Sequence, residues 1–183
     1  MNDADQYFAV CFQIKHAEYF LIWVSSDTDR LVLSPKNLLM AFANIGELNA
    51  FAAKNDLIIH SEKPPIYDFD TLADWIRAPN INNIDCETFL NAWNMLGDIE
   101  KSFERKLKEP NGSNTVYDKL FYGNNLLSIT PEGEHYIPEW SDDEVTIMVS
   151  VFRSGLETLY RVLDMENNKV LAVGRSAEAQ RRA

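Results

Sequence analysis

Six carboxylates follow one another in the second half of the chain without a lysine or arginine among them. They lie between Lys119 and Arg153 and are Glu132, Glu134, Glu139, Asp142, Asp143 and Glu144. Carboxylates this close together can act as general acid and base, or they can attract a positively charged partner. The six account for more than half of the formal net charge of -11.

Aromatic rings and prolines alternate with these acids. Tyr122, Tyr136 and Trp140 lie where a plain loop would carry small polar residues, and Pro131 and Pro138 restrict the backbone. Tyrosine and tryptophan are enriched among the residues that dominate binding energy at protein interfaces. The combination of rings, rigid turns and one sign of charge predicts a surface that binds a basic protein.

A second acidic stretch spans residues 64–76. It contributes Asp68, Asp70 and Asp74 and contains no basic residue, so it could extend the same surface. The alternative is that these acids complement the positive end of a helix dipole.

Enzymatic alternatives use the same acids. Asp68 and Asp70 beside Tyr67, or Glu132 and Glu134 beside Tyr136, would suit the acid and base of sugar hydrolysis. Carboxylates are common, however, and Asp70 and Glu144 already have structural explanations as helix caps. We therefore expect a protein that is not an enzyme.

The sequence gives little support for a metal site, a reactive cysteine or a phosphate-binding loop. His16, His60 and His135 are far apart and lack metal-ligand spacing, so we expect no metal and no cofactor. Cys11 and Cys86 are the only cysteines and are expected to be reduced thiols. The seven glycines form no phosphate-binding loop.

Composition and charge narrow the class of protein. At 183 residues, with 46% hydrophobic residues, the chain can bury a core as one domain over 1–174, followed by a polar tail at 175–183. The pI near 4.7 argues against nucleic acid as a partner. The first residues, MNDADQ, lack the features of a signal peptide, and no stretch is apolar enough to cross a membrane. We expect a cytoplasmic protein.

The hydrophobic pattern predicts strands first and helices afterwards. Strands are expected at 7–14, 18–24, 31–33, 38–42, 57–60 and 170–173. Helices are expected at 45–55 after the cap Asn44, at 71–77 after Asp70, at 86–107 after Asp85, at 116–122, and at 142–164 after a capping box from Ser141 to Glu144. This order predicts an α+β fold with an N-terminal antiparallel sheet packed against C-terminal helices.

Three segments carry a resemblance to a known family. PPIYDFDTLADWI, DCETFLNAWNMLGDI and YDKLFYGNNLLSITPEGEHYIPEWSDDE resemble an immunity protein of bacterial contact-dependent growth inhibition and related polymorphic toxin systems. The likeness spans about residues 58–163. It implies a cytoplasmic antitoxin that binds the C-terminal toxin domain delivered by a neighbouring cell, a domain that is often a nuclease with a basic active site.

An acidic surface suits that role, because carboxylates can take the positions of substrate phosphates in a basic nuclease cleft. The residues expected to bind the toxin domain are Tyr122, Glu132, Glu134, Tyr136, Trp140, Asp142, Asp143, Asp68 and Asp70. We expect electrostatic and steric occlusion of the toxin's active site, and binding away from that site is also compatible with the sequence. Two other functions are also compatible with it, a small hydrolase that uses the loop carboxylates and a homo-oligomeric scaffold without a reaction of its own.

Overall fold

The computed structural model describes residues 5–61, 63–126, 130 and 135–163. By their contacts these residues divide into two units, the first holding 5–66 and 159–163 and the second Tyr67–Thr158. Strands gather in the part of the chain up to Asp68 and helices dominate beyond it, which confirms the α+β class. The prediction of one domain stays a prediction, and the expected strand at 170–173 and tail at 175–183 lie outside the described residues.

The first unit is built on an antiparallel hairpin of β1, Gln6–Ile14, and β2, Ala17–Ser25. Lys15 and His16 connect the strands, and both have positive φ, 51° and 60°. Positive φ at both central residues is typical of the type I′ turn, whose twist matches that of the strands it joins. This two-residue turn fixes the register of nine residue pairs.

Three short strands complete the sheet. They are β3, Arg30–Leu31, β4, Ala41–Phe42, and β5, Ile66–Asp68. β3 and β4 each pair antiparallel with β2, and the order across the sheet is β3-β2-β1-β5 with β4 beside β2. The predicted strands at 31–33 and 38–42 are therefore confirmed in place but are shorter than expected.

The helix α1, Ile45–Lys54, lies wholly in the first unit. The side chain of Asn44 accepts a hydrogen bond of 3.0 Å from the amide of Glu47, which confirms the predicted cap. Leu48 of this helix is fully buried with Ala9 of β1 and Ile22 of β2. The hairpin register places Ala9 opposite Ile22, so one face of the hairpin forms the core against the helix.

The prediction of a strand at 57–60 was wrong, because only an isolated bridge forms there. Ile59 forms one parallel bridge with Tyr7, and the amide of His60 donates to the carbonyl of Tyr7 at 2.9 Å. The amide of Ala9 then donates to the hydroxyl of Ser61 instead of a backbone carbonyl. A side chain in place of a carbonyl interrupts the ladder, so no strand forms.

The second unit contains the other helices. They are α2, Phe69–Arg77, a 3₁₀ turn, Ile81–Asn83, α3, Cys86–Ser102, α4, Ser113–Gly123, and the larger part of α5, Asp142–Val162. None of the described helices combines the length and the apolar character needed to cross a membrane.

Aromatic rings form the core of the second unit. Phe152 of α5 contacts Phe89 and Trp93 of α3 edge to face, with ring centroids 5.3 and 5.6 Å apart. Trp75 of α2 contacts Phe89 in the same way at 4.8 Å. Edge-to-face rings interact favourably beyond the area they bury, so this cluster joins three helices.

The expected end of α3 at residue 107 was wrong, because the helix ends at Ser102. Glu104 has φ of 57°, its amide donates to the carbonyl of Lys101, and the amide of Arg105 donates to the carbonyl of Glu100. These two bonds form a Schellman motif, which ends a helix even without glycine. Residues beyond Arg105 therefore belong to a loop and not to the apolar stripe of α3.

The start of α2 was also placed wrongly. The cap is Asp68 and not Asp70, because the Asp68 carboxylate accepts from the amide of Thr71 at 2.9 Å and from its hydroxyl at 2.7 Å. Asp70 lies in the first turn of the helix instead.

Two glycines inside long helices have opposite surroundings. A Cβ atom added to Gly155 of α5 would lie 2.7 Å from Leu96 Cδ1, whereas one added to Gly97 of α3 would meet no atom within 4 Å. Gly155 thus allows α3 and α5 to approach closely, while packing gives no reason for glycine at position 97.

We expect the two alanine variants to change stability in opposite directions. Gly97→Ala should raise the free energy of unfolding by about 0.5–1 kcal/mol, because alanine is the better helix former. Gly155→Ala should lower it by about 1–3 kcal/mol through overpacking against Leu96. Urea unfolding followed by circular dichroism measures both, and equal shifts in the two variants would contradict the close crossing of the helices.

Candidate partner-binding groove

A groove of about 500 Å³ lies in the second unit. Three segments form it, namely the start of α3 with the 3₁₀ turn before it, the end of α4, and residues 135–140. The lining residues are Ile81, Asn82, Ile84, Asp85, Cys86, Glu87, Gly123, Asn124, Asn125, His135, Tyr136, Ile137, Pro138 and Trp140.

Two caps hold the first wall of the groove. The side chain of Asn80 accepts from the amide of Asn82 at 2.9 Å, and that of Asp85 accepts from the amide of Thr88 at 2.8 Å. The second bond confirms the predicted cap of α3. Together the caps fix the backbone from which Ile81 and Glu87 extend.

Asn125 connects the end of α4 to the segment that carries Tyr136. Its side-chain oxygen accepts from the amide of Tyr136 at 2.7 Å, and its side-chain nitrogen donates to the Tyr136 carbonyl at 2.9 Å. The same nitrogen donates to the carbonyl of Gly123 at 2.8 Å. Both polar groups of the Tyr136 backbone are thus satisfied, and the position of the segment is fixed without use of the tyrosine ring.

Lys119 of α4 holds the other end of the segment. Its ammonium group donates to both carboxylate oxygens of Glu144, at 2.7 and 2.9 Å, and to the backbone carbonyl of Glu139. It also lies 5.1 Å from the centroid of the Trp140 ring, a cation–π contact. One lysine therefore fixes the position of Trp140 and the start of α5.

Glu144 completes the capping box that opens α5. Its carboxylate accepts from the amide of Ser141 at 2.9 Å, and its own amide donates to the Ser141 hydroxyl at 3.3 Å, as predicted. Burial raises the pKa of the Glu144 carboxyl, but the hydrogen bonds from Lys119 and Ser141 and the charge of Lys119 outweigh it. The pKa therefore lies below its ordinary value.

Large apolar side chains are exposed around this groove. Seven such side chains are exposed in the described part of the chain, and five belong to the segments that form the groove or adjoin it. These five are Ile81, Tyr122, Leu126, Tyr136 and Ile137. Ile137 is 75% exposed and Tyr122 54%, which is unusual unless a partner covers them.

Negative charge surrounds the apolar side chains. Asp85 and Glu87 line the groove, and Glu139, Asp142 and Asp143 are exposed on the segment that follows. Among the described residues that line the groove there is no lysine or arginine. The rim of the groove is thus anionic while its exposed residues include rings and aliphatic side chains.

The predicted site residues are only partly brought together. Tyr136 and Trp140 line the groove, Tyr122 is exposed in the last turn of α4, and Asp142 and Asp143 are exposed in the first turn of α5. Glu132 and Glu134 lie outside the described residues.

Asp68 and Asp70 are not among the groove residues. Asp68 caps α2, and Asp70 lies in the first turn of that helix, so the structural reading of this acidic stretch is favoured. The description of six carboxylates without a cation also needs correction, because Glu144 forms an ion pair with Lys119.

Sequence reasoning missed Ile81, Ile137, Glu87 and Asn125. The two isoleucines do carry a signal, since each is an apolar residue in a stretch rich in polar residues or prolines. The role of Asn125 carries none, because its partner lies 11 positions away across a loop.

The chemical groups in the groove do not favour nucleophilic catalysis. Burial raises the pKa of the Cys86 thiol, and the charge of Asp85 raises it further, so the thiol is protonated at neutral pH. Both cysteines are free. Within the described residues, no three His, Cys, Asp or Glu side chains come together as a metal site would require.

The comparisons with known proteins do not assign the groove to a family: no family model, curated protein or solved structure matches the chain.

We expect Lys119→Met to lower the free energy of unfolding by about 1–3 kcal/mol at pH 7, because it leaves a mostly buried carboxylate without its cation. The folded-state pKa of Glu144 is depressed, so its stabilising contribution is present above the unfolded pKa of about 4.3 and is lost as pH falls through the folded value. The difference between variant and wild type should therefore shrink as the pH falls below the unfolded pKa of about 4.3. Urea titrations across this range provide the measurement.

Lys36→Met is the matched control, since Lys36 is exposed in the loop before β4. A loss of stability in the Lys119 variant that does not depend on pH would show that the ion pair with Glu144 is not what Lys119 contributes.

Proposed function

We propose that this chain is an immunity protein that binds a basic toxin domain and thereby neutralises it. The observation that supports this most directly is the groove: five of the seven exposed large apolar side chains of the described residues line it or belong to the segments beside it, and acidic residues lie among them. A surface of this kind fits a protein partner better than a small substrate. The family resemblance in the sequence suggests which partner it is.

In such a complex, charged residues and apolar contacts would affect different steps of binding. The acids of the rim accelerate encounter with a basic surface and exclude other acidic proteins. Buried rings and aliphatic side chains supply most of the lasting affinity, mainly through slow dissociation. In a nuclease, this arrangement would cover the cleft where substrate phosphates bind.

The direct test starts from the gene upstream of this one. If that gene encodes a very large secreted protein, its C-terminal domain should copurify with this chain when the two are coexpressed. Cells that produce the domain should survive only when this chain is present. A domain that kills cells equally with and without this chain would contradict the proposal.

We expect Ile137→Ala to weaken binding to the toxin domain by about tenfold or more, because Ile137 is exposed beside the groove and would be buried in the complex. Ile58→Ala is a matched control, since Ile58 is 72% exposed and Ile137 75%, and Ile58 belongs to the first unit. Isothermal titration calorimetry measures both affinities. Equal losses in the two variants, or a loss in Ile58→Ala alone, would place the interface elsewhere.

We expect Asp142→Asn combined with Asp143→Asn to slow association with the toxin domain by about threefold to tenfold at low salt and to reduce the salt dependence of the association rate. The dissociation rate should change little, because both carboxylates lie at the exposed rim. Stopped-flow mixing measures these rates, and Asp27→Asn, an exposed acid of a turn in the first unit, is the control. An unchanged association rate would remove the rim acids from the encounter surface.

A further inference from the structure

A second pocket, of about 530 Å³, lies in the same unit and shares no lining residue with the groove. It lies between α3, the loop that follows α3, and α4. The lining residues are Trp93, Asn94, Gly97, Lys101, Arg105, Lys106, Leu107, Glu109 and Tyr117. Its charge is opposite in sign to that of the groove.

The positive charge comes from the last turn of α3 and the loop that the Schellman motif starts. Residues 101–108 contain four of the 17 lysines and arginines of the chain, and three of them, Lys101, Arg105 and Lys106, line the pocket. The Lys101 ammonium is 2.8 Å from the carboxylate of Asp98 but its side chain is half exposed. Arg105 and Lys106 are exposed, and the Arg105 guanidinium lies 5.3 Å from the centroid of the Phe103 ring.

The one carboxylate among the lining residues belongs to Glu109 and is hydrogen-bonded to Trp93. Glu109 accepts from the indole nitrogen of Trp93 at 2.8 Å. With three cations and one anion, the lining residues carry a formal charge of +2 in a protein whose net charge is -11, and one of those cations, Lys101, is paired with the nearby carboxylate of Asp98. The cations Arg105 and Lys106, which form no ion pair within the described part of the chain, would attract a small anion to this pocket.

Another wall of the pocket is uncharged. Gly97 leaves the backbone of α3 bare, since no atom lies within 4 Å of where its Cβ would be. Tyr117 lies beside it on α4, edge to face with Trp93 at 5.8 Å, and its hydroxyl is 2.9 Å from the side-chain oxygen of Asn94. A planar ring fits against such a wall, and the amide of Asn94 offers a polar group to the edge of that ring.

We propose that this pocket binds a free nucleoside phosphate, with the phosphates at Arg105 and Lys106 and the base against Gly97. The volume lies within the range of small-molecule sites. Guanidinium and ammonium groups are the usual partners of phosphate, and arginine donates to it through two parallel bonds. A free nucleotide is favoured over a nucleic acid strand because the strongly negative protein would repel a polyanion beyond the pocket. This inference does not depend on the proposed toxin partner.

The test is calorimetric titration of the full chain with the four ribonucleoside 5′-diphosphates, with inorganic pyrophosphate and with a ten-nucleotide single-stranded RNA. We expect at least one nucleotide to bind about tenfold or more tightly than pyrophosphate, because only the nucleotide uses the wall at Gly97. Pyrophosphate that binds as tightly as every nucleotide would overturn the assignment, as would RNA that binds more tightly than all of them. Absence of binding to any nucleotide would overturn it too.

Variants locate the site. Gly97→Ala should lower the affinity for the nucleotide about tenfold. Because the same substitution stabilises the free protein, a loss of affinity cannot be attributed to unfolding. Arg105→Met combined with Lys106→Met should weaken it by a similar factor or more, and Lys63→Met, an exposed lysine before β5, should leave affinity unchanged. Full affinity in both the Gly97 variant and the double variant would show that the nucleotide binds elsewhere.

Discussion

The ammonium group of Lys119 determines much of the geometry of the groove. It bonds the carboxylate of Glu144 and the carbonyl of Glu139, and it lies over the ring of Trp140. These three residues belong to the stretch that ends one wall of the groove and begins α5. Without the cation, a mostly buried carboxylate at the helix start would lack its counter-charge, and the tryptophan would lose its neighbour. A surface with an excess of acids thus depends on one well-placed base.

Local signals in the sequence predicted much of the fold. Asn44, Asp85 and Ser141 each have the side chain and the spacing of a helix cap, and each forms the expected hydrogen bond. The hairpin was predictable because two aromatic and aliphatic runs are separated by a short polar break. Such signals act over three or four residues, which is the range over which a single sequence can be interpreted with physical arguments.

Other features of the structure depend on contacts that have no local signal. Lys119 meets Glu144 across 25 positions, and Asn125 meets Tyr136 across 11. The end of α3 was missed because Glu104 adopts a positive φ that usually requires glycine or asparagine. Net charge also conceals local charge, since four cations lie within residues 101–108 of a chain whose net charge is -11. In the candidate site, the aromatic residues Tyr136 and Trp140 could be predicted from the sequence. The roles of Asn125 and Lys119, which hold those residues in position, could not.

The bonds between Asn125 and Tyr136 involve only the backbone of the tyrosine. The side chains at positions 136 and 137 are therefore separated from the interactions that hold their segment in place. Substitutions there can alter the shape and chemistry of the exposed surface while the loop keeps its path. A lineage of such proteins could change its binding preference one side chain at a time, with little effect on folding.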